Sequence, residues 1–121
     1  MMLGGYTDVY IYKIFEILNG GDIYYLTFGR GTHGSGSYHR LAQLFSIKGN
    51  EFIKCEPCFE GESDLVLQAW RGDEIVLEFD TSTNEIKHTV LIQDEVTGRN
   101  LATDKMQRWE FKNGNFIQVE K

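Results

Sequence analysis

The sequence predicts an all-β protein, and two features carry the prediction: alternation of apolar and polar residues, and turn residues at short intervals. Residues 74–80 read EIVLEFD, so Ile75, Leu77 and Phe79 share one face opposite mainly acidic side chains. Alternation with a period of two suits a strand, because successive strand residues point to opposite faces. The runs leave no room for long crossover helices, so we expect a mostly antiparallel meander with a curved sheet, barrel-like or folded into two layers.

Other runs are expected to form strands of the same kind. Residues 64–70 and 85–92 alternate in the same way, whereas residues 9–18 are apolar on both faces and rich in β-branched and aromatic side chains, which favours a buried strand. Residues 37–45 are ambiguous, since Leu41, Leu44 and Phe45 have helical spacing. We favour a strand there because strands are predicted on both sides.

Glycine and asparagine mark the connections between these runs. Both residues tolerate the positive φ that tight hairpins require. Residues 45–53 and 109–117 each read as strand, Gly/Asn turn, strand, and the other turn signals lie at residues 19–22, 71–73, 81–84 and 96–98. At 121 residues, the chain is predicted to form a single domain spanning residues 1–121.

Charge and hydropathy exclude two classes of partner. The net charge is −6, which argues against nucleic acid, because that binding depends on Lys and Arg meeting phosphates. Residues 30–54 nevertheless carry +3 and residues 55–86 carry −8. A solvated surface explains this asymmetry, and a contact between copies of the chain is the alternative. No apolar run approaches the roughly 20 residues of a membrane-spanning helix, so no transmembrane segment is predicted.

The stretch FGRGTHGSGSYHRL, residues 28–41, contains the pattern G-x-G-x-x-G after a strand-like run. A dinucleotide site needs those glycines at a strand-to-helix turn, followed by a second parallel strand. The flanking sequence offers neither, and we predict no cofactor. The stretch is interpreted as a wide polar loop between two antiparallel strands.

This stretch still holds the candidate ligand-binding residues Arg30, His33, Tyr38 and His39. They gather hydrogen-bond donors and an aromatic ring in the one locally basic part of the chain, where glycines let the backbone approach a ligand. If this stretch binds a small molecule, we expect an anionic or carbohydrate ligand; a protein partner and a loop with no ligand are the alternatives. No catalytic residue is predicted, because the sequence has no G-x-S-x-G elbow. The competing hypothesis is a small hydrolase or metal-dependent enzyme that uses His33 and His39.

Three further motifs are interpreted structurally. The C-x-x-C of Cys55 and Cys58 lacks the following helix of a redox pair and a well-spaced second pair of zinc ligands, so we expect a turn around Pro57 with two ordinary thiols and no metal. The tripeptide RGD at residues 71–73 is expected to be a hairpin turn rather than an adhesion motif. The acids of residues 56–64 are expected to form a solvated edge.

The chain resembles small all-β domains of bacterial secreted or envelope proteins that have no established function. The shared features are an aromatic strand ending in Phe-Gly (residues 24–29), a Gly/Ser-rich loop (34–37), a Phe-x-Ile strand (45–47) and a closing aromatic hairpin (108–116). The resemblance implies a periplasmic or cell-envelope location and a non-catalytic binding or structural module. It implies no activity or cofactor, and the sequence alone leaves a cytoplasmic location open.

Overall fold

The computed structural model describes residues 10–33, 37–70 and 73–119, with side chains described at all of these except 10, 32, 33 and 37. They form nine strands in two antiparallel sheets, and none of them lies in a helix. This confirms the all-β prediction. A barrel-like sheet and a two-layered arrangement were both expected, and the structure shows the two-layered one, not closed into a barrel.

Sheet A contains the first five strands. Strands β1, β2 and β3 pair in sequence order, and the far edge of β3 is shared, because its second half pairs with β4 and its first half with β5. The bounds are β1 Tyr10–Asn19, β2 Asp22–His33, β3 Ser37–Lys48, β4 Glu51–Lys54 and β5 Leu65–Trp70. The ambiguous segment 37–45 is therefore strand, as favoured from the sequence.

Sheet B is a four-stranded meander in sequence order. Its strands are β6 Leu77–Asp80, β7 Glu85–Gln93, β8 Asn100–Lys112 and β9 Asn115–Val119. Strand β6 is shorter than the alternating run 74–80 that predicted it, although Ile75 before it is buried like a core residue. Among the described residues, no helix is long and apolar enough to cross a membrane.

The glycine-rich stretch differs from its prediction. Residues 29–33 of β2 pair with residues 37–41 of β3, so they are strand and not part of the wide loop that was expected; residues 34–36 lie outside the described residues. The glycines suit a sheet here because Gly29 lies opposite Leu41 and Gly31 opposite His39, and both of these larger side chains are buried. A glycine opposite a bulky residue leaves room for it on the same face.

The core lies between the two sheets and is rich in aromatic rings. Phe116 of β9 is fully buried and stacks on Phe59, with ring centroids 5.5 Å apart and planes 3° from parallel. Across the sheets, Phe15 meets Phe79 at 5.0 Å, and Tyr24 of sheet A packs on a ring of β8. Such aromatic pairs add to the stabilisation that apolar burial alone supplies.

The segment between β4 and β5 enters this core and fastens β9. Cys58 is buried, and its carbonyl oxygen accepts a hydrogen bond from the backbone N–H of Phe116 at 2.7 Å. Glu60 accepts two hydrogen bonds from Gln118, one from its backbone and one from its side chain. The segment thus connects the two sheets along one side of the sandwich.

Cys55 and Cys58 form a disulfide, so the expectation of two free thiols is wrong. The turn around Pro57 brings their Cα atoms to 5.6 Å, within the range that a disulfide requires. The sequence predicted the turn correctly, but whether the two sulfur atoms meet depends on backbone geometry that the spacing does not reveal. Of the RGD motif, Arg71 and Gly72 lie outside the described residues.

Candidate functional site

The predicted ligand residues lie on neighbouring parts of β2 and β3. Arg30 is exposed and lies directly opposite Arg40. The guanidinium of Arg40 lies 5.8 Å from the centroid of the Tyr12 ring. Tyr38, two residues before Arg40 on the same face, is half-buried and donates its hydroxyl hydrogen bond to the backbone oxygen of Asp73.

The strand register separates His39 from Arg30 and Tyr38. His39 is buried opposite Gly31, and the alternation of β3 puts it on the other face of the sheet from Arg30 and Tyr38. His33 is the last residue of β2, and its side chain lies outside the described part of the chain. A single ligand on one face therefore cannot contact Arg30, Tyr38 and His39 together, and the predicted site stays a prediction.

A larger concave site lies between the two sheets, where the free edge of β5 faces β7, β8 and β9. This inter-sheet cleft has a volume of about 470 Å³, within the usual range for small-molecule sites. Its described lining consists of apolar, amide-bearing and aromatic side chains: Leu65, Val66, Leu67, Gln68, His88, Thr89, Val90, Leu91, Asn100, Gln107, Trp109 and Gln118.

A hydrogen-bonded pair of rings, His88 and Trp109, belongs to this lining. Both are buried, and the indole Nε1–H of Trp109 donates to His88 Nε2 at 2.9 Å. Since Nε2 accepts, the imidazole proton must lie on Nδ1, which is 2.8 Å from the backbone oxygen of Thr89 and donates to it. Both nitrogens of His88 are therefore engaged in one neutral tautomer.

Burial lowers the pKa of His88 below its ordinary value, and the hydrogen bond to the Thr89 carbonyl only partly opposes this shift. Protonation would also place a second N–H at Nε2, facing the N–H of Trp109, so that two donors would confront each other. The imidazole is expected to stay neutral at pH 7, and the ring pair acts as a fixed element of the cleft.

This geometry makes stability depend on pH. The unfolded chain takes up a proton at about pH 6.5 while folded His88 stays neutral, so its stabilising contribution is present above that pH and lost below it. The expected slope is at most about 1.4 kcal/mol per pH unit between about pH 6.5 and the lower folded-state pKa.

Urea unfolding at a series of pH values measures this effect. His88→Gln removes the titrating group, and the other two histidines contribute equally to both proteins. The wild type is therefore expected to lose stability more steeply than His88→Gln below about pH 6.5. Parallel curves would contradict the assignment.

Three of the four amide side chains of the cleft direct their nitrogen to an acceptor of the protein. Asn100 Nδ2 donates to the Gln68 backbone oxygen at 2.9 Å, and Gln107 Nε2 donates to the backbone oxygens of residues 108 and 119. Gln118 Nε2 donates to the Glu60 carboxylate at 3.0 Å. Each partner can only accept a hydrogen bond, so the group that faces it must be the amide nitrogen. The amide oxygen of the same side chain then occupies the other branch of the amide. The side-chain oxygens of the three accept no hydrogen bond from the described residues.

A second, smaller concavity continues from the first. This side cleft has a volume of about 260 Å³, shares Gln68 and Asn100 with the inter-sheet cleft, and is also lined by Ala69, Trp70, Gln93 and Gly98. Gln93 repeats the amide pattern, because its Nε2 donates to the Gly98 carbonyl at 3.2 Å. The guanidinium of Arg99 lies 4.6 Å from the centroid of the Trp70 ring.

Neither cleft has a charged residue in its described lining, although a quarter of the chain is Asp, Glu, Lys or Arg. Within residues 10–33, 37–70 and 73–119, no group of three or more His, Cys, Asp or Glu side chains is arranged to hold a metal ion. The arrangement can therefore offer neutral hydrogen bonds and ring surfaces to a ligand.

A third concavity lies on the outer face of sheet A. It has a volume of about 360 Å³ and an almost entirely apolar lining: Ile11, Ile14, Tyr25, Thr27, Phe45 and Phe52. Its exposed side chains suit an apolar protein surface better than a small polar ligand.

No family model, curated protein or solved structure matches this chain. The candidate site therefore rests on its own geometry. Sequence reasoning missed it because its residues come from four strands that are distant in sequence. The available signal was the recurrence of amides at residues 68, 93, 100, 107 and 118.

Proposed function

We propose that this protein is a non-catalytic binding module of the bacterial cell envelope, and that its ligand lies in the inter-sheet cleft. The observation that carries the proposal is a concave site whose described lining holds four amide side chains, the His88–Trp109 ring pair and no charged group. Ligand sites typically combine an apolar or aromatic wall with a few placed polar groups, and this cleft has both.

The contacts favour binding over catalysis. General acid–base chemistry needs a group that is free to take and return a proton, and both nitrogens of His88 are engaged. The hydroxyl of Thr89 accepts the backbone N–H of Val76 at 2.8 Å, and the described lining offers no carboxylate or thiol. The alternative of an enzyme that uses His33 and His39 has no observation in its favour, since His39 is buried opposite Gly31.

The disulfide supports the proposed location. Disulfides persist in the periplasm and outside the cell, whereas cytosolic thiols are usually kept reduced. Cys55–Cys58 fastens the segment that holds β9, so an oxidising compartment would preserve the side of the sandwich that carries Gln118. The resemblance to secreted and envelope domains supports the same setting.

Trp109 fluorescence tests the binding function. The chain has two tryptophans, so Trp70→Phe leaves Trp109 as the sole indole while keeping an aromatic ring in the side cleft. A chemically diverse fragment library is expected to contain members that change Trp109 emission in a saturable way, because a ligand in the cleft alters the surroundings of that ring.

Two variants complete this experiment. Gln107→Ala is expected to weaken every such response, whereas Asn115→Ala, the same type of truncation at an exposed turn, leaves it unchanged. A library in which no member gives a saturable change, or responses that Gln107→Ala does not affect, would rule out the cleft as a binding site.

A further inference from the structure

We infer that the ligand of the inter-sheet cleft is a neutral oligosaccharide that continues into the side cleft. This inference rests on the proposed function and specifies its ligand class. It follows from the hydrogen-bonding character of the cleft, from its lack of charge, and from the way in which the two clefts join.

The amides make both clefts rich in acceptors. Asn100, Gln107, Gln118 and Gln93 each direct the side-chain nitrogen to an acceptor of the protein, which leaves the carbonyl oxygen for other contacts. A ligand that satisfies several such oxygens must donate several hydrogen bonds. The amide nitrogens of Asn100, Gln93 and Gln118 each keep a second N–H that can donate to a ligand, so the set suits groups that both donate and accept. Sugar hydroxyls do both, whereas an ionised carboxylate only accepts.

The uncharged character of the described lining narrows the class of ligand further. Ammonium and guanidinium ligands donate hydrogen bonds, but a cation held between the sheets would need a counter-charge, which the described lining lacks. A neutral polyol needs none. The apolar part of the lining includes the partly exposed Val66 and the largely buried ring pair His88–Trp109, which suits the C–H faces of sugar rings.

An extended peptide is the competing occupant, because β5 is an edge strand and peptides add to free edges. The side chain of Asn100 blocks this edge. It donates to the backbone oxygen of Gln68, so the carbonyl at the centre of β5 that a new strand would pair with is already engaged. Side chains that cover an edge protect it from strand addition.

The two clefts meet at this same bridge. Gln68 and Asn100 line both, and beyond them the side cleft offers Trp70 and the oxygen of Gln93. One sugar unit in the inter-sheet cleft can therefore be followed by a second across the bridge, with Trp70 at the far end. A chain of sugars fits this connected pair of sites better than a single ring.

Titration calorimetry on the full chain tests this assignment with defined probes. The neutral probes are maltotriose, cellotriose, mannotriose and the trimer of N-acetylglucosamine. Trigalacturonic acid serves as a carboxylated sugar of similar length, inorganic phosphate as a simple anion, and a pentapeptide of alternating serine and valine as the strand mimic. At least one neutral trimer is expected to bind, and the other probes are not.

Variants locate the binding. The double variant Asn100→Ala/Gln107→Ala is expected to bind the trimer roughly tenfold more weakly, because two hydrogen bonds to the ligand are lost. The affinity of Asn115→Ala for the trimer is expected to stay within about twofold of that of the wild type. Gln93→Ala is expected to weaken binding of the trimer several-fold and to leave binding of the corresponding monosaccharide, which fills the inter-sheet cleft alone, unchanged. Circular dichroism of each variant checks that the fold is intact.

The outcomes separate the two proposals. If none of the neutral trimers binds, or if the double variant binds them as tightly as the wild type, the sugar assignment is overturned. Binding of trigalacturonic acid, phosphate or the peptide in the cleft instead would also overturn it and leave the binding function standing. The fragment experiment on Trp109, in contrast, decides the binding function itself.

Discussion

Phe116→Ala is expected to lower the free energy of unfolding by about 3–5 kcal/mol, the usual loss for a fully buried phenylalanine. The ring is completely buried at the centre of the aromatic cluster, stacked on Phe59 and in edge contact with Phe79 and Phe111. Its removal leaves a cavity between the sheets, which lie on opposite sides of it and cannot close on it easily. The free energy of unfolding of most domains is only about 5–15 kcal/mol, so this loss would be a large fraction of the total stability.

Ile117→Ala is the matched control, because Ile117 follows Phe116 in β9 but points to the outer face and is 42% exposed. Its truncation is expected to cost about 1 kcal/mol or less. Urea unfolding of both variants measures the difference. If the two variants lose equal stability, the core does not lie between the sheets at β9.

Gly114→Ala is expected to cost about 2 kcal/mol or more, for two separate reasons. Gly114 is the second residue of a two-residue hairpin turn and has a φ of +83°, which an L-residue adopts only with strain. A Cβ at this position would also lie 2.9 Å from the hydroxyl oxygen of Tyr24. The Tyr24 ring packs on Phe111 at 5.2 Å, so it cannot move away without losing that contact.

Gly21→Ala separates these two causes. Gly21 is the second residue of another two-residue turn, its φ is +92°, and a Cβ there would meet no atom within 4 Å. It is therefore expected to show the backbone strain alone, about 1 kcal/mol. Thermal or urea unfolding gives both values. Equal losses in the two variants would show that the turn of β8 and β9 does not pack against Tyr24.

Much of the fold could be predicted from the sequence, because its signals are local. Alternation predicted β5 and β7, and the Gly-Gly and Asn-Gly pairs predicted turns that the structure forms with positive φ at Gly20, Gly21, Asn113 and Gly114. These features depend on a few consecutive residues and on the conformations they tolerate. A strand at residues 37–48 was favoured only because strands were predicted on both sides of it. Its own apolar pattern suits both the period of a helix and the period of a strand.

The errors came from features that depend on distant partners. Glycines and polar residues at 29–33 predicted a loop, but pairing with β3 makes them strand, since Leu41 and His39 need small residues opposite. The disulfide depends on the exact path of the turn around Pro57. The inter-sheet cleft depends on how two sheets pack, and no local pattern reports that Gln107 and Gln68 approach one site.

The candidate residues of the glycine stretch illustrate the same limit. Arg30, Tyr38 and His39 are close in sequence and in space, yet strand alternation assigns His39 to the other face. Proximity in sequence predicted a cluster, and register decides which side chains can meet. The site predicted at Arg30, His33, Tyr38 and His39 stays a prediction, which phosphate calorimetry of the wild type and of an Arg30→Ala/His33→Ala variant examines.

The central claim is that the ligand site lies between the two sheets, and the most direct test is to map bound ligand by nuclear magnetic resonance. In spectra of the labelled protein with the tightest-binding trimer or fragment, the largest shift changes are expected at the Trp109 indole and at the side-chain amides of Asn100 and Gln107. Nuclear Overhauser contacts should join ligand protons to the same residues. Changes concentrated instead at Arg30 and Tyr38, or on the outer face of sheet A around Tyr25 and Phe52, would contradict the claim.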